Sequence, residues 1–272
     1  MRRDKKKEFI VVVLTIIIFL GTNLVFGQKD YTLEEKRLFQ RFKIANMHFE
    51  NGKAHFLKEN YKKAEREMMK CLDKMPEHSG ANFFLSQISY KHGKLETALK
   101  QIEKAEKNYA SMDRIRTNLQ QLVILELQEQ KMAKEERLME LKTSLSRGNL
   151  TPEQRSQVEG RIGSVQADIG VINSQLSKPL PASQEIPADY YYLHGNILFK
   201  MKKFQDAFAQ YKEAIRVNPQ YGDAYNNLAN LYYMAKQYQK ALDCLEQAEA
   251  TGAKVNLEFR KAILKALGKD RD

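Results

Sequence analysis

From residue 45 onward, apolar side chains recur at three- and four-residue spacing in blocks of about a dozen positions, which predicts short amphipathic helices. The blocks themselves repeat. Aligned at a period of 34 from Ala45, Ser79, Ala188 and Gly222, the eighth position reads Gly52, Ser86, Gly195 and Ala229. The twentieth reads Ala64, Ala98, Ala207 and Ala241, and the twenty-seventh reads Cys71, Ala105, Ala214 and Ala248. Large apolar residues hold the seventeenth (Tyr61, Leu95, Phe204, Tyr238) and the twenty-fourth (Met68, Ile102, Tyr211, Leu245). Two helices and their turns fill such a unit, with small residues where the backbones cross and large ones in the gaps between. Neither helix buries its stripe alone, so the units must stack. Pro76 and Pro219 stop the second helix in two of the copies.

The pattern resembles the tetratricopeptide repeat (TPR) family over residues 45–110 and 188–255, most completely in Ala188–Tyr221. Tyr191, Tyr225, His48 and Asn82 stand where that family usually has tryptophan. The resemblance implies an all-α solenoid of helical hairpins. Carried on by one period, the register reaches Asn256, where Phe259, Ala262, Ile263 and Ala266 predict a capping helix within 256–268. Upstream, Thr32 and Glu35 form a capping box that starts a helix leading into the first repeat, so the first repeat block covers 32–110.

The repeats are interrupted. Asp113 opens a would-be third copy, with Leu119, Val123 and Ile124 at first-helix positions, but no breaker follows before Gly148. Thr151, Pro152 and Gln154 then supply an N-cap, an N1 proline and a capping-box partner. Val158, Ile162, Val165, Ile169, Ile172 and Leu176 continue at alternating four- and three-residue steps, a coiled-coil seam. Leu138, Leu141 and Leu145 match it on the preceding helix. Further back that line meets Lys131 and Lys134, so the seam is expected to shift to Leu125, Met132 and Met139. Residues 111–177 therefore read as an inserted antiparallel coiled-coil hairpin, with Gly160, Gly163 and Gly170 off its seam. A Pro-rich linker, 178–187, leads back to the two repeats of 188–255.

The net charge of +11, from 45 Lys+Arg against 34 Asp+Glu, suggests nucleic acid until it is placed. Five basic residues against Asp4 and Glu8 open the chain and precede an uncharged apolar run, Phe9–Phe26. Residues 1–27 thus read as a signal peptide, with Val25 and Gly27 before the cut, or as a retained membrane anchor. Either way the body is expected outside the cytoplasm, periplasmic or membrane-held, with no nucleic acid partner. With 13 Gly, 6 Pro and 2 Cys, a disulfide scaffold or a turn-rich sandwich is excluded.

No constellation for chemistry emerges. His48, His55, His78, His92 and His194 lack metal spacing, and no phosphate loop or nucleophile elbow is present, so no enzyme, cofactor or metal is expected. Cys71 and Cys244 read as packing residues. The TPR resemblance implies a concave groove lined by first helices, which here offer Phe49, Lys53 and Phe56, then Phe83, Gln87 and Tyr90. Tyr192, Asn196 and Phe199, then Asn226, Asn230 and Tyr233, continue it. Of the carboxylate clamp found in part of that family, Asn196, Asn227 and Lys261 match, while Tyr192 and Leu257 replace its lysines. The reading is an extracytoplasmic interaction scaffold holding a protein or peptide in its groove, in envelope assembly or secretion. The alternatives are a basic adaptor at a membrane or cell-wall surface, and a homo-oligomer joined through 126–177.

Overall fold

A computed structural model describes residues 33–147, 150–179 and 185–269. The segment 1–27, Thr32 of the upstream capping box, Gly148 and Pro181 lie outside them. Among the described residues the chain is all-helical: α1 Leu33–Leu57, α2 Tyr61–Lys74, α3 Ser79–Lys91, α4 Leu95–Ser146, α5 Pro152–Leu176, α6 Ala188–Lys200, α7 Phe204–Val217, α8 Gly222–Met234, α9 Tyr238–Ala250 and α10 Leu257–Ala266. No helix among these residues is long and apolar enough to cross a membrane. Two compact units divide after Lys43: the first contributes the opening turns of α1, and the second carries everything from Ile44 onward.

Within the second unit, His48 of α1 bonds Glu67 of α2 at 2.8 Å, α3 with the start of α4, α6–α7 and α8–α9 form helical hairpins, and α10 packs on α9. The small positions explain the crossings. Ala64, Ala98, Ala207 and Ala241 are fully buried, as are Cys71, Ala105, Ala214 and Ala248. A Cβ on Gly195 would sit 2.5 Å from Tyr211 Cε1, so only glycine lets that ring lie against the α6 backbone. In the second repeat the same position is Ser86, whose hydroxyl donates 2.8 Å to the Ala98 carbonyl instead.

The turn between the two helices of each hairpin is also repeated. Its fifteenth position is left-handed in all four copies, with φ of 56° at Glu59, 72° at Gly93, 61° at Lys202 and 59° at Lys236. Side-chain oxygens of Asn60 and Asn256 cap α2 and α10 by accepting backbone N–H groups. His78 caps α3 through Nδ1, which accepts from the Ala81 N–H at 3.1 Å.

No new helix starts at Asp113. The second helix of repeat two runs on as the 52-residue α4 and turns back as α5, whose N-terminal capping box between Thr151 and Gln154 is formed. The stripe Val158, Ile162, Val165, Ile169, Ile172 and Leu176 is the covered face of α5. On α4 the expected shift to Leu125, Met132 and Met139 is followed only at Leu125, which is half-buried. Met132 and Met139 are 53% and 67% exposed, whereas Lys131 and Lys134 lie on the covered side with Leu138 and Leu141. Lys134 pairs there with Asp168 of α5, both side chains keeping nearly half their surface in water. The opposite side of α5 carries Ser156, Gly160, Gly163, Ala167, Gly170 and Ser174, all exposed.

Candidate functional site

The first helices α3 and α6 are neighbours in space although α4, α5 and the linker separate them in the chain. An open cleft of about 430 Å³ lies between them, walled by Gln87 and Tyr90 of α3 and by Tyr192 and Asn196 of α6. Asp189, Lys91 and Tyr221 complete its rim. Such a volume is in the range of ordinary ligand clefts.

Two packing rules decide which groove residues reach it. Ring-bearing residues at the fifth position turn toward the next repeat. Phe49 lies against His78 and Phe84, at centroid distances of 4.7 and 5.8 Å, over the backbone of Gly80. Phe83 is buried and stacks on Tyr190 at 4.2 Å, and Tyr192 leans on Tyr221 at 5.0 Å. Asn226, at the same position, donates to the Lys254 carbonyl at 3.0 Å.

Aromatic residues at the twelfth position fold back onto the seventeenth of their own repeat. Phe56 packs on Tyr61, Phe199 on Phe204 and Tyr233 on Tyr238, at 5.5, 5.4 and 5.4 Å. Repeat two has Leu95 there, so Tyr90 finds no ring of its own repeat among the described residues and stands at the cleft, with Lys200 Nζ 4.2 Å from its centroid. That lone substitution at the seventeenth position was the signal available in the sequence for singling out Tyr90.

The floor is a hydrogen-bonded network. Asn196 Oδ1 accepts from the Tyr211 hydroxyl at 2.9 Å and from the Asn227 amide at 2.8 Å. Asn230 donates to the Asn226 carbonyl at 3.1 Å. Burial raises the proton affinity of Tyr192 and Tyr211. Burial first, and then the bond its hydroxyl donates to Asp189 at 2.6 Å, do the same for Tyr221. These phenols stay neutral, so the charge lining the cleft comes from Asp189 and Lys91.

The residues that match part of the carboxylate clamp are engaged with other groups. Asn196 and Asn227 bond each other, and Lys261 pairs with Glu258 at 3.1 Å. Lys53 is solvent-exposed on α1. The structure therefore gathers Phe83, Gln87, Tyr90, Tyr192 and Asn196, with Asn227 bonded to Asn196, and adds Lys91, Asp189, Leu193 and Tyr221, which the groove positions did not include. Asp189 is legible only once the Tyr221 contact is known. Among the described residues no cluster of three or more His, Cys, Asp or Glu side chains could hold a metal. Burial pushes the thiols of Cys71 and Cys244 up to about 12 and about 11, which leaves both protonated and unreactive at neutral pH.

The profile described as "TPR repeat" matches residues 195–236, and the one described as "Tetratricopeptide repeat" matches 222–254. Residues 195–254 carry tetratricopeptide repeats. Over 67 residues it is 37% identical to a Hsp70-Hsp90 organising protein of Plasmodium falciparum, a stretch covering 24% of this chain and 12% of that one. Over 75 residues it is 31% identical to Stress-induced-phosphoprotein 1 of Caenorhabditis elegans, covering 28% and 23%. The chain thus spans less than a quarter of the length of either relative. Among solved structures, a crystal structure of MamA protein superposes with a TM-score of 0.47 at 14% identity, covering 84% of both chains. TPR scaffolds are typically non-enzymatic, and TPR domains take protein and peptide partners.

Proposed function

We propose that this chain is an extracytoplasmic scaffold that takes an extended segment of a partner protein into the cleft between α3 and α6. The observation that carries the reading is Tyr90, whose ring lines the cleft beside Gln87 and across from Asn196, with Lys200 Nζ over the ring. A rigid ring buries area at low entropy cost, and amides pair with the backbone of an extended strand whatever its sequence. The neutral phenols suit the same guest. Export rests on the basic start and the apolar run Phe9–Phe26, and an intact-mass measurement reads whether the chain is cut after Gly27. Envelope assembly or secretion is the setting that fits an exported scaffold with no reaction of its own.

Selection of peptide ligands on the full chain tests the cleft. Tyr90→Ala is expected to weaken selected ligands about tenfold, as for a central aromatic anchor. Ligands that bind Tyr90→Ala and Gln87→Ala as tightly as the unmodified chain would show that the cleft is not the site.

The paired α4 and α5, with the coiled-coil seam read between them, offer a second contact surface outside the repeats. Self-association through residues 126–177 is checked by light scattering before and after their deletion, an unchanged mass ruling it out.

A further inference from the structure

The positive charge of the body is concentrated in one place. Positions thirteen to nineteen of the repeat, where the first helix ends and the second begins, are residues 57–63, 91–97, 200–206 and 234–240. They hold ten lysines and no arginine against Glu59, Glu96 and Asp206, a net +7. The chain after residue 27 carries +8 in total, the overall +11 less the +3 of the first eight residues, so all other positions together contribute +1. Every one of the ten lysines is exposed. None is within ion-pair distance of a carboxylate among the described residues.

Stacking sets these turns side by side along one edge of the repeats. Lys91 of the second turn lies over Tyr61 of the first at 5.3 Å, and Lys200 of the third lies over Tyr90 of the second at 4.2 Å. Two of the lysines sit where lysine is unfavourable. Lys202 and Lys236 hold the left-handed position that repeat two gives to Gly93, a conformation in which a Cβ is strained. Charge is kept there at the expense of backbone comfort, the pattern of a functional surface.

The edge also carries apolar side chains. Leu57 and Met234, at the thirteenth position of the first and last repeats, are 72% and 52% exposed, flanking Lys91 and Lys200 at the same position in the middle repeats. We propose that this turn edge docks on an anionic lipid bilayer. Lysines without arginine give diffuse attraction rather than the forked phosphate recognition of nucleic-acid sites. Exposed Leu and Met enter an acyl boundary and have no counterpart on a phosphate backbone. The apolar run Phe9–Phe26, read as a signal peptide or a retained anchor, is consistent with a chain that meets a membrane. The proposal stands independently of the cleft reading.

The test uses the full chain with a fluorophore on Gln237→Cys at this edge or on Gln220→Cys at the opposite one, in a Cys71→Ala, Cys244→Ala background. Vesicles contain headgroup-spin-labelled lipid in phosphatidylcholine, with or without phosphatidylglycerol. Quenching at 237 is expected to exceed that at 220 by about threefold in the anionic vesicles, and to fall to the phosphatidylcholine level in about 0.5 M NaCl, where charges are screened. Lys58→Gln, Lys62→Gln, Lys63→Gln, Lys202→Asn, Lys203→Gln and Lys236→Asn together should abolish the excess; asparagine tolerates the left-handed turn. Equal quenching at both edges, or quenching at 237 indifferent to anionic lipid and salt, overturns the proposal even if the multiple variant fails to fold. A DNA duplex that strips the chain from anionic vesicles overturns it in favour of nucleic acid.

Discussion

Phe83 of α3 and Tyr190 of α6 stack face to face, their centroids 4.2 Å apart and their planes within 9° of parallel. The pair closes the repeat array across the α4–α5 excursion, because Tyr190 also reaches Ser79 Oγ at 3.2 Å at the start of α3. Ser79 in turn bonds the Ala105 carbonyl at 2.8 Å, which ties the stack to α4. Tyr190→Ala should cost about 3–5 kcal/mol of stability, as for other buried aromatic truncations. Tyr190→Phe keeps the ring and should cost about 1 kcal/mol, the worth of one hydrogen bond. Urea unfolding of the two variants separates stacking from the hydroxyl.

Glycine to alanine should have opposite signs at two places in this chain. At Gly195 the new methyl meets Tyr211 at 2.5 Å, and repacking is expected to cost about 1–3 kcal/mol. At Gly160, Gly163 and Gly170 nothing lies within 4 Å of the added Cβ, so each exchange should stabilise α5 by about 1 kcal/mol. Hydrogen exchange of the α5 amides reads the second effect, and thermal unfolding reads the first.

Stability should fall in mild acid through His78. Burial holds this ring's pKa down to about 4 from its ordinary 6.5, and its Nδ1 must stay unprotonated to cap α3. Between those values the unfolded chain binds the extra proton and the folded chain does not, so His78 destabilises the fold progressively as pH drops from 6.5 toward 4. The slope approaches about 1.4 kcal/mol per pH unit in the middle of that window. His78→Asn retains an accepting cap and should flatten the slope in a pH series of denaturation curves.

The hairpin periodicity was legible because packing at the twentieth, twenty-fourth and twenty-seventh positions tolerates few residue types. Ala98, Ile102 and Ala105 are buried to the last atom. The α4 seam was not legible at Lys131 and Lys134. Apolarity argued for Met132 and Met139, and the partner of Lys134, Asp168, lies on another helix. For the cleft, position in the repeat named Phe83, Gln87, Tyr90, Tyr192 and Asn196 but could not separate them from Phe49, Phe56 and Tyr233. Those rings are taken up by their neighbours in a way that depends on the facing repeat. Asp189 and Tyr221 stand at the two ends of one repeat, 32 residues apart, and only the folded hairpin brings them within 2.6 Å.

The measurement that bears most directly on the cleft reading is photo-cross-linking in the native host from a benzophenone side chain at position 87. A matched probe at position 212 of α7 serves as the comparison. Capture of one partner protein from 87 and not from 212, with loss of that adduct in Tyr90→Ala, is the expected result. The same adducts from both positions, or adducts from 87 that persist in Tyr90→Ala, would contradict a partner seated between α3 and α6.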